Sequence, residues 1–356
     1  MNRGRTSTIV TLKDVARVAG VHPATVSRAL DHGKMSLVRP ETRAKVQGVA
    51  RELGYRGDVV ARSLRRGQTT TVGVIVADLG NPFVAPVLRG LADELEKHGF
   101  MAVITETQDD HARLRASVEN LLSRRVDGLI LTSARLGDVS VIEEVARETA
   151  VVLAVRPLPG SALPSVTTDD VAGGYLAARH LAELGHKLVA ELTGPSDIQN
   201  FVDRSIGFAQ AADAFGFDIV RVPEQAIHPT PSEGRRLMEM LLAQGGARPT
   251  AIFAHTDAMA IGAIAAVGAA SLKCPQDISI VGYNDAPLVD HLDPPLSTIR
   301  FPGEQIGRFA ADLAITLIDE PTAVVASMSF PPELVARSST APYLETPPAQ
   351  TAQKTA

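Results

Sequence analysis

Between residues 11 and 53 apolar positions recur every three or four residues, whereas beyond residue 66 they gather into short unbroken runs. That change of period divides the chain. In TLKDVARVAGVHPATVSRALD, Leu12, Val15, Ala16 and Ala19 share one helical face, and Ala16 is small enough for a second helix to approach closely. Gly20 suits the left-handed conformation that ends a helix, Val21 fills the corner and Pro23 suits a first helical position. The pattern predicts a helix-turn-helix whose second helix hides Val26 and Leu30 and turns Ala24, Thr25, Ser27 and Arg28 outward. A third amphipathic stretch, Pro40 to Leu53, sets Val46, Val49, Ala50 and Leu53 on one face and completes an all-α head.

The later runs read as strands. VGVIVAD (72–78), FMAVITET (100–107), VDGLILTS (126–133) and AVVLAV (150–155) form one series. LVAELTG (188–194), DIVRV (218–222), TAIFAHT (250–256) and ISIVGYND (278–285) form another. Their residues are β-branched and apolar on both faces, as parallel strands covered by helices require, with room between them for helices of 12 to 16 residues. The expected body is α/β, two doubly wound parallel-sheet subdomains, with ligand bound between them beyond the carboxyl ends of the strands. Residues 92–107 and 178–194 echo each other as helix, Gly beside His, strand.

Charge sharpens the division. Residues 1–66 carry fourteen Lys or Arg against five Asp or Glu, net +9, within a chain of -5, which leaves -14 for residues 67–356. A basic head on an acidic body is the footprint of a polyanion partner. A chain of 356 residues, 45% hydrophobic, can bury more than one core. No apolar run reaches the roughly 18 residues of a membrane span, and MNRGRTSTIV lacks a secretory core, so a cytoplasmic location without membrane partners is expected. Cys274, the one cysteine, reads as structural. There is no GxSxG, GxxxxGK[ST], HExxH or Cys/His metal set, so no catalytic residue, metal or cofactor is expected. His180 and His186 are expected at the surface.

Polar residues at the ends of apolar strands must be solvated, cap helices or bind ligand. Asp78, with Asn81 and Phe83 after it, closes the first strand, and Thr132 and Ser133 close the third. Thr256 and Asp257 end a later strand, and Asn284 and Asp285 another. Asp257 and Asp170 each precede a helix start, so capping competes with ligand binding there. Arg204, in DRSIGF, opens a helix, where a cation is mildly disfavoured by the dipole, and its fork suits diol, carboxylate or phosphate oxygens; the alternative is a surface salt bridge. Phe83 either stacks on a sugar or base face or packs in the core.

DVARVAGVHPATVSRAL, RPETRAKVQGVARELGY and VARSLRRGQT, followed by RVDGLILTS, GPSDIQNFVDRSIGF, IFAHTDAMAIGA and PQDISIVGYND, resemble the lactose-repressor (LacI/GalR) family of bacterial transcription regulators over about residues 8 to 340. The resemblance implies a repressor of a carbohydrate-utilisation operon that binds a palindromic double-stranded DNA operator as a homodimer. A small-molecule effector, a sugar or sugar derivative, would control it from a cleft like that of periplasmic sugar-binding proteins. The implied domains are a DNA-binding head (1–57), a hinge helix and linker (58–69), an effector-binding and dimerisation body (70–340) and a disordered tail (341–356). LETPPAQTAQKTA has no leucine heptads, so no tetramerising coiled coil is expected.

The implied DNA-binding residues are Thr11, Pro23, Ala24, Thr25, Ser27, Arg28, Ala61 and Leu64. Arg28 matches guanine O6 and N7, with a phosphate contact as its rival. Leu64 matches the hinge leucine that wedges into the minor groove, against packing on its own domain, and Ala61 lets paired hinge helices approach. The implied effector residues are Asp78, Asn81, Phe83, Thr132, Ser133, Arg156, Arg204, Thr256, Asp257 and Asn284. Departures from the family pattern are His22 at a usual Ser or Thr cap, Gly57 and Asp58 for Pro and Asn, and Val155 for an Asp before Arg156. The first weakens the expected cap, Asp58 repels phosphate, and Val155 removes one polar sugar contact. A binding receptor with an incidental head, or an enzyme on the α/β body, are the competing classes.

Overall fold

A computed structural model describes residues 10–30, 35–55 and 68–344. The chain divides into two compact units, Met1–Thr69 and Thr70–Ala356. Expectations for Gly57, Asp58, Ala61, Leu64 and the last twelve residues fall outside the described residues.

In the head, α1 (Leu12–Ala19), α2 (Pro23–Ala29) and α3 (Pro40–Glu52) bury Val15, Ala16, Ala19, Val26, Ala29, Val46 and Ala50 against one another. Thr11 caps α1 in a reciprocal box with Asp14, and Gly20 ends it at φ 65°. The Thr11 hydroxyl and amide, with Arg17 beside them, hold the Asp14 carboxyl down at about 2. His22 does not leave α2 uncapped: its own Nδ1 accepts from the Ala24 amide at 3.2 Å, a role an imidazole nitrogen fills as a hydroxyl would. Ala29 is buried where Leu30 was expected, and Leu30 packs partly exposed at the edge of the same cluster.

The body holds two six-stranded sheets. In the first, β1 (Thr71–Val76), β2 (Met101–Glu106), β3 (Gly128–Leu131), β4 (Ala150–Ala154), β5 (Ser165–Thr168) and β11 (Met328–Phe330) run in the order β11-β5-β4-β3-β1-β2. In the second, β6 (Leu188–Leu192), β7 (Asp218–Arg221), β8 (Ala251–Ala254), β9 (Ser279–Asn284), β10 (Ser297–Arg300) and β12 (Glu333–Val335) run β12-β10-β9-β8-β6-β7. All pairings are parallel except β10 with β12. The eight expected strands occur; β5, β10, β11 and β12 are additional. Strands β1, β3, β4 and β8 are apolar and buried on both faces, but the edge strands β2 and β7, each with a single neighbour, are half-exposed.

Helices α4 (Val84–Lys97), α5 (His111–Ser123) and α6 (Val139–Ala146) belong to the first sheet, and α7 (Asp170–Glu183), α8 (Gln199–Phe215), α9 (Pro231–Ala243) and α10 (Asp257–Ala269) to the second. They range from 8 to 17 residues, wider than the spacing predicted. Helix α11 (Gly303–Asp319) returns to the first subdomain, where Ile306, Ala310 and Ala314 join Val72, Val74 and Ile130 in its core. The chain therefore crosses between subdomains three times, after β5, after β10 and after β11.

Helices α7 and α8 cross at two glycines. A Cβ on Gly174 would stand 2.0 Å from the Arg204 carbonyl oxygen, and one on Gly207 1.8 Å from that of Val171. His180 and His186 are buried, contrary to expectation: the C-terminal segment folds over them, so that His180 Nε2 meets Thr340 Oγ1 at 2.9 Å and His186 Nε2 meets the Ala341 carbonyl at 3.1 Å, while His186 Nδ1 meets Thr250 Oγ1, just before β8, at 2.8 Å. Burial lowers both imidazole pKa values. Cys274 is half-buried and donates to the Ser339 carbonyl, with burial pushing its thiol up to about 12.

Candidate functional site

Parallel strands leave their carboxyl ends and the following loops on one side of each sheet, and between the two subdomains those loops enclose a cavity of about 360 Å³. From the first subdomain come Asp78, Asn81, Phe83, Gln108, Asp109, Thr132 and Arg156; from the second come Asn200, Phe201, Arg204, His228, Thr230, Thr256 and Asn284. Eight of the ten expected effector residues line it. Ser133 and Asp257 do not.

The two arginines are already paired. Arg204 lies in the second turn of α8 rather than at its opening, because the helix begins at Gln199; its Nε donates to Asp170 at 2.8 Å and its Nη1 to the His255 carbonyl at 2.5 Å. Its guanidinium carbon stands 3.6 Å from the Tyr283 ring centroid and 5.3 Å from that of Phe201. The pair is buried within the second subdomain, unlike the surface bridge weighed as the alternative. Arg156 donates to Asp109 at 2.5 Å and to the Ser133 carbonyl at 3.3 Å. Burial works to raise the Asp109 carboxyl, but Arg156, with Arg135 and His228, holds it below its ordinary value.

Amides, hydroxyls and rings, with the Asp78 carboxylate, complete the wall. Asn200 donates across the subdomains to the Val155 carbonyl at 2.9 Å, and to Asp170 at 2.5 Å. Asp78 accepts from the Gly80 amide at 2.7 Å, which fixes the loop carrying Asn81. Phe83 meets Phe301 edge-to-face at 5.7 Å, so it both packs and presents a face to the cavity. Thr256 caps α10 by accepting from the Met259 amide at 3.2 Å, and Asp169 caps α7, so the capping roles weighed for Asp257 and Asp170 belong to the residues before them. Asp257 instead accepts from the Ala286 amide at 2.7 Å and the Thr298 hydroxyl at 2.6 Å, and burial pushes its carboxyl up to about 7.

Gln108, Asp109, Asn200, Phe201, His228, Thr230 and Phe301 were not anticipated. Gln108 and Asp109 follow the end of β2, so the strand-end rule covers them, and Asn200 and Phe201 sit one turn before Arg204 on its helix. Among the described residues no group of three or more His, Cys, Asp or Glu could hold a metal ion, and no helix is long and apolar enough to cross a membrane.

In the head, α2 exposes Ala24 and Arg28 and half-exposes Pro23, Thr25 and Ser27 while Val26 and Ala29 face the core. Thr11 is exposed too, with its hydroxyl donating to Asp14 at 2.7 Å.

Residues 11–58 match the family described as bacterial regulatory proteins, lacI family, and residues 178–340 match the periplasmic binding protein-like domain. The ribose operon repressor of Escherichia coli strain K12 is 33% identical over 333 residues, 93% of this chain and 100% of that protein. The HTH-type transcriptional repressor CytR of the same strain is 32% identical over 343 residues, 96% of this chain and 99% of that one. Among solved structures, the lac repressor dimer bound to operator and the anti-inducer ONPF aligns with a TM-score of 0.82 at 28% identity, covering 93% of this chain and 99% of the other. A LacI family regulator from Enterococcus faecium with bound ribose aligns at 0.67, 28% identical, over 77% of this chain and 100% of that one. The chain belongs to the lacI family. It is a DNA-binding transcriptional regulator with an effector-binding body.

Proposed function

We propose that the protein is a cytoplasmic, non-enzymatic repressor that binds a palindromic operator as a homodimer and is controlled by a sugar or sugar derivative in the inter-subdomain cavity. The domain assignment that goes with this is a head at 1–57, a hinge at 58–69, a body at 70–340 and a tail at 341–356. The observation that carries it is the cavity itself: paired guanidinium and carboxylate groups, amides and hydroxyls beside the rings of Phe83 and Phe201. Donors and acceptors alternating beside aromatic faces suit a polyhydroxyl ring. Asp78, Asn81, Phe83, Thr132, Arg156, Arg204, Thr256 and Asn284 contact the effector in this reading, while Asp257 and Ser133 support the wall from behind. Thr11, Pro23, Ala24, Thr25, Ser27 and Arg28 face the operator in this reading, with Leu64 of the hinge as the minor-groove wedge and Ala61 as the small residue that lets paired hinges approach.

Two symmetric heads multiply the specificity of one, and the exposed Met101 and Ile104 on the edge strand β2 offer apolar surface for a second copy. The test is operator footprinting with a metabolite panel at a stated salt concentration, since phosphate contacts make affinity salt-dependent. Preference for a dyad-symmetric sequence, changed by a sugar, is the expected result. No preference over random fragments would overturn it.

A further inference from the structure

Gln108 and Asp109 take φ of 53° and 55° in succession, a conformation that non-glycine residues adopt when their surroundings hold them. Here the holding contacts are explicit. The Gln108 amide donates to the Ala77 carbonyl at 2.7 Å, and the Asp109 carbonyl accepts from Arg135 Nη1 at 2.6 Å. The turn aims the Asp109 carboxylate, 6% exposed, at the cavity wall, where Arg156 reaches one oxygen at 2.5 Å and the other at 3.4 Å.

The consequence is a charge balance. Arg156 is neutralised by Asp109 and Arg204 by Asp170, each within 2.8 Å, and Asp78 adds a further carboxylate to the lining. No guanidinium in this wall is left to neutralise an incoming anion. A hydroxyl can accept from Arg156 and donate to Asp109 together, whereas a phosphate or carboxylate oxygen only accepts and meets Asp109 as a like charge. We propose that Asp109 is a specificity-determining residue: by occupying Arg156 it makes the cavity select an uncharged polyhydroxyl ligand over the phosphomonoester of the same ligand. This rests on the carbohydrate reading and narrows it.

The test uses the intact protein and a panel of aldopentoses, aldohexoses and nucleosides, each with its phosphomonoester, read by thermal shift and titration calorimetry. Wild type is expected to bind a neutral member at least ten-fold more tightly than its phosphate. Asp109→Asn, which keeps the size but removes the charge, should shrink that ratio ten-fold or more with unchanged circular dichroism, and Asp109→Glu should restore part of it. A wild-type preference for the phosphomonoester overturns the inference, as does a folded Asp109→Asn protein with the wild-type ratio. Asp109→Ser is read alongside in case the Asn variant does not fold. Should no member of the panel bind, the carbohydrate reading falls first and takes this one with it.

Discussion

At the scale of single residues, Asp257 is a carboxyl buried almost completely out of contact with water. Both its oxygens accept hydrogen bonds, yet burial dominates and raises its carboxyl from 3.8 to about 7. The fold therefore binds a proton there more tightly than the unfolded chain does. Its contribution to stability is complete below pH 3.8 and fades as pH rises through about 7. Asp257→Asn keeps one acceptor for the Ala286 amide and turns an NH₂ to the Thr298 oxygen, so it should remove a slope of up to about 1.4 kcal/mol per pH unit in that window. Urea denaturation at pH 5 and pH 8 checks this: wild type should lose ground to the variant at pH 8, and an equal difference at both pH values would refute it. Nothing in HTDAMA announced this role, since a carboxylate at a strand end reads the same whether it turns toward a cavity or, as here, toward Ala286 and Thr298.

At the scale of elements, α2 joins two separable functions. His22 holds the helix through Nδ1, so His22→Ala should cost about 0.5 to 2 kcal/mol of head stability and His22→Ser much less, as thermal melts can read. Arg28 is exposed on the face away from Val26; Arg28→Ala should leave the melt unchanged while costing about 1 to 3 kcal/mol on the best operator and relaxing preference at one base pair. Equal loss on every DNA sequence would instead make it a phosphate contact. The crossing of α7 and α8 is stricter. With the Val171 oxygen 1.8 Å from where a Cβ would stand, Gly207→Ala must push the helices apart and should cost about 1 to 3 kcal/mol in urea denaturation. Because Arg204 sits one turn earlier on α8, the same variant should also weaken effector binding. The helix-turn-helix was legible because its signals are local: Gly20, Pro23 and the apolar spacing all act within one turn of the residues they govern. Strands β5, β10, β11 and β12 were not, being three or four residues long, and β11 and β12 are created by partners far along the chain, as when Met328 pairs with Val166. Of the cavity, strand ends marked Asp78, Thr132, Thr256 and Asn284, but the buried turn of α8 that carries Asn200 depends on how two helices pack, which no window of sequence contains.

At the scale of the whole body, three crossings join the subdomains, and a side-chain bolt spans them beside the cavity. Arg135, after β3, donates from Nε to Asp197 of the second subdomain at 2.8 Å, and the Leu136 amide donates to the Asp197 carbonyl at the same distance. Arg135 also holds the Asp109 carbonyl, so the element that faces ligand and the element that spans the subdomains share one guanidinium. A ligand that engages both walls favours the arrangement in which this bolt is made, and whatever the bolt contributes to that arrangement is returned as affinity. Asp197 is about half-exposed, so its share is modest, roughly 0 to 1 kcal/mol. Asp197→Ala should accordingly weaken effector binding by about two- to five-fold, a loss within that range. Asp109 keeps Arg135 Nη1 on its carbonyl and Arg156 on its carboxylate in this variant, so discrimination between a neutral ligand and its phosphate should not change. Titration calorimetry on both ligands separates the two effects: lower affinity with the same ratio places the bolt in closure, whereas an altered ratio would mean that Asp197 takes part in reading the ligand itself.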